Sequence, residues 1–463
     1  MPFLSKCLNY KTFDFVFLFL LSALLILYQL GAKSLTTWDE ICYAQIAKDM
    51  MAHKSWLTTM EFDLPVFEKP PLYFVLTAIS YKIFGINEWG ARFPAAMAGI
   101  GTLFFTYLIG LNLFSRRTAL LSALLLLSSI HFFNFSRLAT LDMMLTFFTS
   151  ASIFFFLQAQ KDPYYFLGFG LLFALAFFTK GLAGLLPLFI IFLSLLWQRD
   201  FFIMKNLFFV GGLCLGIFFI FAWIIYEYIH FGRNFLDGII FVNFSRMYKT
   251  LDAHSGSPFF YIKVIFNKGK IFGGLAFILS SYLALSQLFS KHPLKKNVTI
   301  ILAWFIATFF IFSFMKTKLH WYIIPIYPAL FLLCSHMMTL YIPKKYILVF
   351  PMISFSFLIY YQLTNPYAFN DDKNRFEKHM GKFVDDLRPK EKTIFLIKED
   401  ENISAKALAF YANMYVEDSP ALISRQEHGL FLIKKEKLAS FQKKSAHKIT
   451  LLKEAENYIF VKK

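Results

Sequence analysis
Roughly eleven times along this chain an apolar run reaches the length of about 20 residues that an α-helix needs to cross a bilayer. Lipid offers the backbone no hydrogen-bond partners, so such runs fold as spanning helices whose peptide groups are satisfied internally. They lie near 13–31, 90–113, 118–136, 141–159, 164–180, 182–198, 206–229, 270–289, 297–315, 320–341 and 345–363. With 57% hydrophobic and only 16% charged residues, the composition excludes a soluble multidomain protein. A polytopic α-helical membrane protein of about 11–13 spans is expected. The first run has small residues at Leu30-Gly31-Ala32, where a signal peptide could be cut, but it is long for such a segment and is read as an uncleaved anchor.

The net charge of +18 does not point to nucleic acid, because the cations sit in short loops beside the spans. With the N-terminus inside, Arg116-Arg117, Lys161, Arg199 with Lys205, Lys291 with Lys295-Lys296, and Lys344-Lys345 all fall in cytoplasmic loops. Residues 32–89, the 137–142 junction, Thr179-Lys180-Gly181, residues 230–269, the 316–322 junction and everything after about 364 then face outward. Moving a single span would scatter the basic loops and the unusual polar residues alike, so the two sets support each other. Cys7, Cys42, Cys214 and Cys334 form no CxxC pair and imply neither a disulfide framework nor a thiolate zinc site.

Within the outward loop 32–89, Ile41, Ala44, Ala47 and Met51 recur at helical spacing and predict an amphipathic helix over 39–52 lying along the membrane surface. Pro70-Pro71 can open a second helix over 72–84, too short to span comfortably and therefore interfacial or re-entrant. After Thr364 the apolar runs stop and charges of both signs become frequent, which divides the chain into a membrane domain, 1–363, and a small soluble α/β domain, 364–463. In that tail, strands are expected over 393–398, 429–433, 448–452 and 458–461, and helices over 371–387, 405–413 and 437–444. No GxGxxG, Walker, HExxH or GxSxG motif occurs.

Asp39 and Glu40 stand at the mouth of a span, where an ionised carboxylate is costly unless solvated or paired. An N-cap is the plainer role for Asp39. Lys69 could be a snorkelling anchor and Glu68 its surface partner, yet Pro70-Pro71 fix the backbone where the chain turns back to the membrane. Arg137 and Asp142, at the ends of two spans, either pair with each other or serve function. Arg246 and His254 lie in an outward segment, where a lone histidine is more often an ordinary polar residue. Lys316, Lys318, His320, Trp321 and Tyr322 have the character of a membrane-boundary belt. Each group has a structural explanation alone; together they converge on one face amid apolar surroundings, a combination that suits a lipid-phosphate substrate.

The segments Trp38-Asp39-Glu40-Ile41-Cys42-Tyr43-Ala44, Glu68-Lys69-Pro70-Pro71-Leu72, Arg92-Phe93-Pro94-Ala95-Ala96, 137–142, Thr179-Lys180-Gly181 and 318–325 resemble, in order, the motif series of bacterial aminoarabinose transferases and their relatives. These belong to the protein O-mannosyltransferase-like, GT-C class of membrane glycosyltransferases. The resemblance covers about residues 10–340, and the tail matches in position and character alone. It implies a multi-pass protein of the bacterial inner membrane, with its site and C-terminal domain facing the periplasm. It further implies inverting transfer of a sugar from a polyprenyl-phosphate donor, onto lipid A phosphate in the members that modify lipid A. By this resemblance Asp39, with Glu40 beside it, matches the essential first-loop acid, and Lys69 and Tyr322 match positions associated with the donor phosphate. Glu68 and His254 match positions able to hold a divalent ion such as zinc. Asp142, as a catalytic acid, and Arg246, as a phosphate ligand, match more loosely. One position departs from the pattern: the family often carries arginine two residues beyond the Asp-Glu pair, where this chain has Cys42.

A polyprenyl-phosphate sugar brings its own leaving group, so no nucleotide cofactor is expected. The protein must neutralise charge developing on the departing phosphate, a task for Lys69, Arg246 and Tyr322. A phosphate acceptor is already ionised and asks Asp39 for positioning, whereas a protein hydroxyl asks for more activation. Protein O-glycosylation is thus the alternative within the superfamily. A transporter or lipid flippase would place ionisable groups near the midplane and show an internal repeat, and the sequence shows neither. The expected partners are the polyprenyl-phosphate sugar, a lipid A or protein acceptor and the surrounding lipid, with a monomer as the default.

Overall fold
The structure, a computed structural model, describes residues 2–36, 39–249, 255–288, 296–364, 375–387, 393–396, 404–417, 429–438, 441–442, 449–455 and 458–462. The membrane part runs α1 (Pro2–Leu27), α2 (Asp39–His53), a small hairpin of β1 (Met60–Glu61) and β2 (Leu64–Pro65), α3 (Leu72–Phe84), α4 (Glu88–Leu113), α5 (Arg116–Ser128), α6 (Ile130–Phe135) and α7 (Leu141–Ala159). It continues with α8 (Tyr165–Lys180), α9 (Leu186–Gln198), α10 (Leu207–Phe231), α11 (Arg233–Tyr248), α12 (Phe260–Leu288), α13 (Lys296–Phe314), α14 (Tyr327–Tyr341) and α15 (Val349–Thr364).

Each expected apolar run is helical, but the runs are not equal. Among the described residues, 6 helical stretches are long and apolar enough to cross a membrane, including His320–Tyr341 and a continuous Tyr165–Gln198, and Thr12–Leu27, Phe272–Ser286 and Val298–Phe314 are shorter apolar helices. The Tyr165–Gln198 stretch unites two expected spans through a 3-10 turn, Gly181–Leu185, entered by Gly181 at φ 57°. That left-handed backbone favours glycine, which has no Cβ to clash. Residues 118–136 break at Ser129, where an extended ψ of 116° separates α5 from α6. The fold is that of a polytopic helical membrane protein. His320–Tyr341 is 83% buried and Lys344–Thr364 only 22%, so α14 runs through the middle of the bundle and α15 along its rim.

The C-terminal part is a five-stranded sheet in the order β4-β3-β5-β7-β6, built from β3 (Thr393–Leu396), β4 (Tyr415–Glu417), β5 (Leu430–Lys434), β6 (Thr450–Ala455) and β7 (Tyr458–Lys462). β3 lies parallel to β4 and β5, and β7 runs antiparallel to β5 and β6. Helices α16 (Arg375–Leu387) and α17 (Ala405–Ala412) cover it, burying Met380, Val384 and Leu408 on Ile394, Leu432 and Phe460. Strand β4 is absent from the sequence expectation because three residues carry no readable alternation. Of the helix expected over 437–444, the described residues Leu438, Phe441 and Gln442 are helical, after a 3-10 turn at Lys435–Lys437, and 439–440 and 443–444 lie outside the described residues.

α17 also sits on the first loop. The Tyr411 hydroxyl accepts from the Leu35 amide at 2.9 Å and donates to Glu88 at 3.2 Å, and Lys378 pairs with Glu88 from α16. Lys48 donates to the Phe410 carbonyl at 3.0 Å. On the other side, the Tyr81 hydroxyl of α3 reaches the Ala44 carbonyl at 3.4 Å. α2 is therefore packed between α3 and the C-terminal domain. Gln45 and Lys48, on the polar side of its wheel, are covered by protein.

Candidate active site
Glu40 is 1% exposed and fully engaged. It accepts from Arg92 Nε at 2.9 Å and Nη2 at 3.0 Å, from the Thr36 amide and hydroxyl at 2.9 and 3.0 Å, and from the Ala139 amide at 2.7 Å. Arg92, itself 1% exposed, spends its remaining donors on the carbonyls of Leu30, Lys33 and Ser34. A buried ion pair survives only with its lone pairs and protons satisfied, and here they are. Burial alone would raise the Glu40 pKa, but Arg92 and the bonds from Ala139 and Thr36 outweigh it and hold the carboxyl below its usual range. The pair thus clamps the first loop to α4 and to the junction that leads into α7.

Three residues beyond Ala139 stands Asp142, 2% exposed at the start of α7 and paired with Lys180 at the end of α8. The Lys180 ammonium lies 4.3 Å from the centre of the Tyr322 ring. Lys69, just before α3 and 9% exposed, acts electrostatically on Asp142, and Tyr261 of α12 feels both Tyr322 and Asp142. Span ends and a 3-10 turn, His320–Ile326, thereby join Asp142, Lys180 and the Tyr322 ring in one chain of contacts, with Lys69 and Tyr261 within electrostatic range of Asp142. Arg137 does not join them or pair with Asp142. Its guanidinium donates to the carbonyls of Leu25, Ile26, Tyr28 and Gln29 and so caps the end of α1. Lys318 likewise caps α13 through Ser313 and Met315, and His320 turns to His131 at 3.4 Å.

Donors fixed in a buried site are the arrangement that stabilises charge developing on a leaving phosphate. The Asp142–Lys180 pair has a testable signature. Lys180→Met should destabilise the protein by about 3–5 kcal/mol by stranding a buried carboxylate, and Asp142→Asn added to it should recover most of that loss. Unfolding in detergent measures both; additive losses would contradict the pairing.

Asp39 occupies the first turn of α2 and Glu68 is exposed beside buried Lys69. Arg246 belongs to α11, its side chain outside the described residues, and His254 lies outside them altogether. Among the described residues no three His, Cys, Asp or Glu gather to hold a metal. With His254 outside the described residues, Glu68 is the one expected ligand the structure describes, short of the three or four of a zinc site. At Cys42 the missing arginine has a counterpart: Lys406 of α17 places its ammonium 3.4 Å from the sulfur and 2.7 Å from Glu61. Asp39 acts on the same thiol electrostatically. Tyr261 and Lys406 carry no local motif, and only the fold brings them here.

The family model for dolichyl-phosphate-mannose-protein mannosyltransferase matches residues 68–226. An uncharacterized protein of Aquifex aeolicus is 33% identical over 380 residues, 80% of this chain and 82% of its own length. The undecaprenyl phosphate-alpha-4-amino-4-deoxy-L-arabinose arabinosyl transferase of Erwinia tasmaniensis is 27% identical over 324 residues, 68% of this chain, and the match spans only 57% of that protein. A second Aquifex aeolicus protein, 32% identical, is matched over 62% of its length. In fold, ArnT from Cupriavidus metallidurans in the apo state superposes with a TM-score of 0.77 at 18% identity, covering 98% of each chain. Its structure bound to undecaprenyl phosphate gives 0.75 at 17% identity over 96% of this chain and 97% of that one. With the motif order, the relative matched over most of its length and the shared fold together, the chain belongs to the aminoarabinose-transferase-like group of the protein O-mannosyltransferase-like GT-C membrane glycosyltransferases.

Proposed function
We propose that this protein moves a sugar from a polyprenyl-phosphate donor onto a lipid A phosphate, at the periplasmic face of the bacterial inner membrane. The observation that carries the reading is the buried cluster of Lys69, Asp142, Lys180, Tyr261 and Tyr322 at the face bearing the first loop. Relatives named as undecaprenyl-phosphate aminoarabinose transferases, and the ArnT structure with undecaprenyl phosphate bound, support the donor class. In the reaction an acceptor phosphate oxygen bonds to the anomeric carbon from one side while the bond to the donor phosphate breaks on the other, which inverts the centre. The departing phosphate takes the electron pair, and Lys69 with Tyr322 receives its charge; Arg246 is the further cation we assign there. Lys180, fixed by Asp142, keeps the Tyr322 ring in place. Asp39 orients the acceptor, and Glu40 acts by holding the loop that carries Asp39.

Lipid A mass spectra from cells with and without the protein test this reading. Added mass should identify the sugar, and Asp39→Asn should lower it about 100-fold or more at equal membrane levels of protein. Unchanged addition by the variant contradicts the assigned role. The match to the protein mannosyltransferase model favours one second reading, a protein hydroxyl as acceptor. Unmodified lipid A together with newly glycosylated protein would establish it.

A further inference from the structure
The 3-10 turn that carries Tyr322 presents a second polar side chain in another direction. Residues in such a turn step by about 120°, so His320 and Tyr322 face different neighbours. Tyr322 faces Lys180, whereas the His320 Nδ1 meets the Nε2 of buried His131 in α6 at 3.4 Å. The His131 Nδ1 in turn meets the hydroxyl of Tyr327, fully buried at the start of α14, at 2.9 Å. Protons can run along this chain in two ways. If His320 donates to His131 and His131 to Tyr327, the phenol proton is left buried with no acceptor among the described residues, which is costly. If Tyr327 donates to His131 and His131 to His320, every buried group is satisfied. The second arrangement is the stable one, and it leaves His320 with its proton on Nε2. His320 is only half-buried, and its Nε2 is neither buried nor bonded among the described residues. The chain thus ends in a fixed donor that a ligand can reach.

α12 supplies a cation beside it. This helix packs on α6, α14 and the 3-10 turn. At Gly269 it comes so close that a Cβ there would stand 3.2 Å from the Tyr327 hydroxyl. The preceding Lys268 is exposed, and its charge acts on both His131 and His320. α6, α12, the 3-10 turn and α14 contain no Asp or Glu, so no carboxylate on these elements competes for the two donors. Phe135 and Trp321 pack edge-on against the imidazole, with centroids at 5.5 and 4.7 Å, and hold the ring in place. An ammonium and an oriented imidazole N–H suit the oxygens of a phosphate and offer nothing to a cation.

We propose that His320 and Lys268 form a second phosphate site, which anchors the acceptor glycolipid by a phosphate other than the one that reacts. The inference rests on the transferase reading above. Lipid A carries a phosphate at each end of its sugar headgroup, so one can be held on the His320 side of the turn while the other meets the donor on the Tyr322 side. His131 and Tyr327 are positioning residues, which act by keeping the His320 proton on Nε2.

The test titrates the purified full-length protein in detergent with lipid A bearing two phosphates and with lipid A bearing one. The doubly phosphorylated form should bind at least about 10-fold more tightly. Lys268→Ala, a change at an exposed side chain, should shrink that difference several-fold, and His320→Phe should do the same. Excess phosphatidylglycerol should leave the binding unchanged; displacement would assign the site to bulk lipid and overturn the acceptor claim. Nitrogen-15 spectra of the histidines should place the His320 proton on Nε2 and show that preference lost in Tyr327→Phe. Equal binding of the two lipid A forms, an undiminished difference in Lys268→Ala, or a His320 proton on Nδ1 would overturn the proposal. Lys69→Ala separates the two claims: it should keep the preference for two phosphates while losing transfer. Retained transfer in that variant would instead count against the transferase reading.

Discussion

Replacing Lys69 with alanine is expected to lower sugar transfer by about 100- to 1,000-fold while the protein still accumulates in the membrane. Lys69 sits at the foot of α3, 9% exposed, where Pro70-Pro71 leave the backbone little freedom. Its charge acts on the buried Asp142 carboxylate. A surface anchor of the same type would lose little on truncation, because water and lipid headgroups replace it. A donor preorganised towards a leaving phosphate has no such substitute at the moment the bond breaks. Lys69→Arg should recover part of the rate, since charge is kept and geometry is not. Initial rates with saturating donor measure the effect, and a loss below about 10-fold would return Lys69 to a structural role.

The second large effect is on stability. Glu40→Ala should cost about 3–5 kcal/mol, because Arg92 would remain buried with its charge uncompensated. The damage should reach function as well, since Glu40 also holds the Ala139 amide three residues before Asp142. The dependence on pH follows from the Glu40 carboxyl, held below the ordinary glutamate value of 4.5 by Arg92 and its hydrogen bonds against the opposing effect of burial. A group whose folded pKa is lowered contributes fully above its unfolded value and loses that contribution as the pH falls through the folded one. Wild type and Glu40→Gln should therefore differ most near neutral pH and converge in acid. Melting curves across that range check it, and a gap that widens in acid would contradict the assignment.

The contrast between Glu40 and Lys69 shows what was legible in the sequence. Apolar length alone located the helices, because membrane spans leave the backbone no alternative to internal hydrogen bonds. It did not reveal that 164–198 forms one stretch turned at Gly181 or that α2 lies between α3 and α17. The place of α2 depends on contacts 37 and 362 positions apart, and the turn at Gly181 on a local backbone conformation that apolar length does not report. Glu40 and Asp142 were visible as costly charges, but their partners were not: Arg92 stands 52 residues from Glu40, and Lys180 stands 38 from Asp142. Arg137, the obvious neighbour for Asp142, is consumed by the carbonyls at the end of α1. Tyr261 and Lys406 had no local signal, because a tyrosine in an apolar helix and a lysine in a soluble domain are ordinary until packing places them.

The central claim is that a polyprenyl-phosphate sugar is consumed at the Lys69–Asp142–Lys180–Tyr322 cluster. It is tested most directly by reconstituting the purified protein in liposomes with a polyprenyl-phosphate aminosugar and lipid A, then counting both products. The account predicts free polyprenyl phosphate and glycosylated lipid A appearing in equal amounts, and neither appearing with Lys69→Ala. Glycosylated lipid A without release of polyprenyl phosphate, or equal yields from the variant, would contradict it.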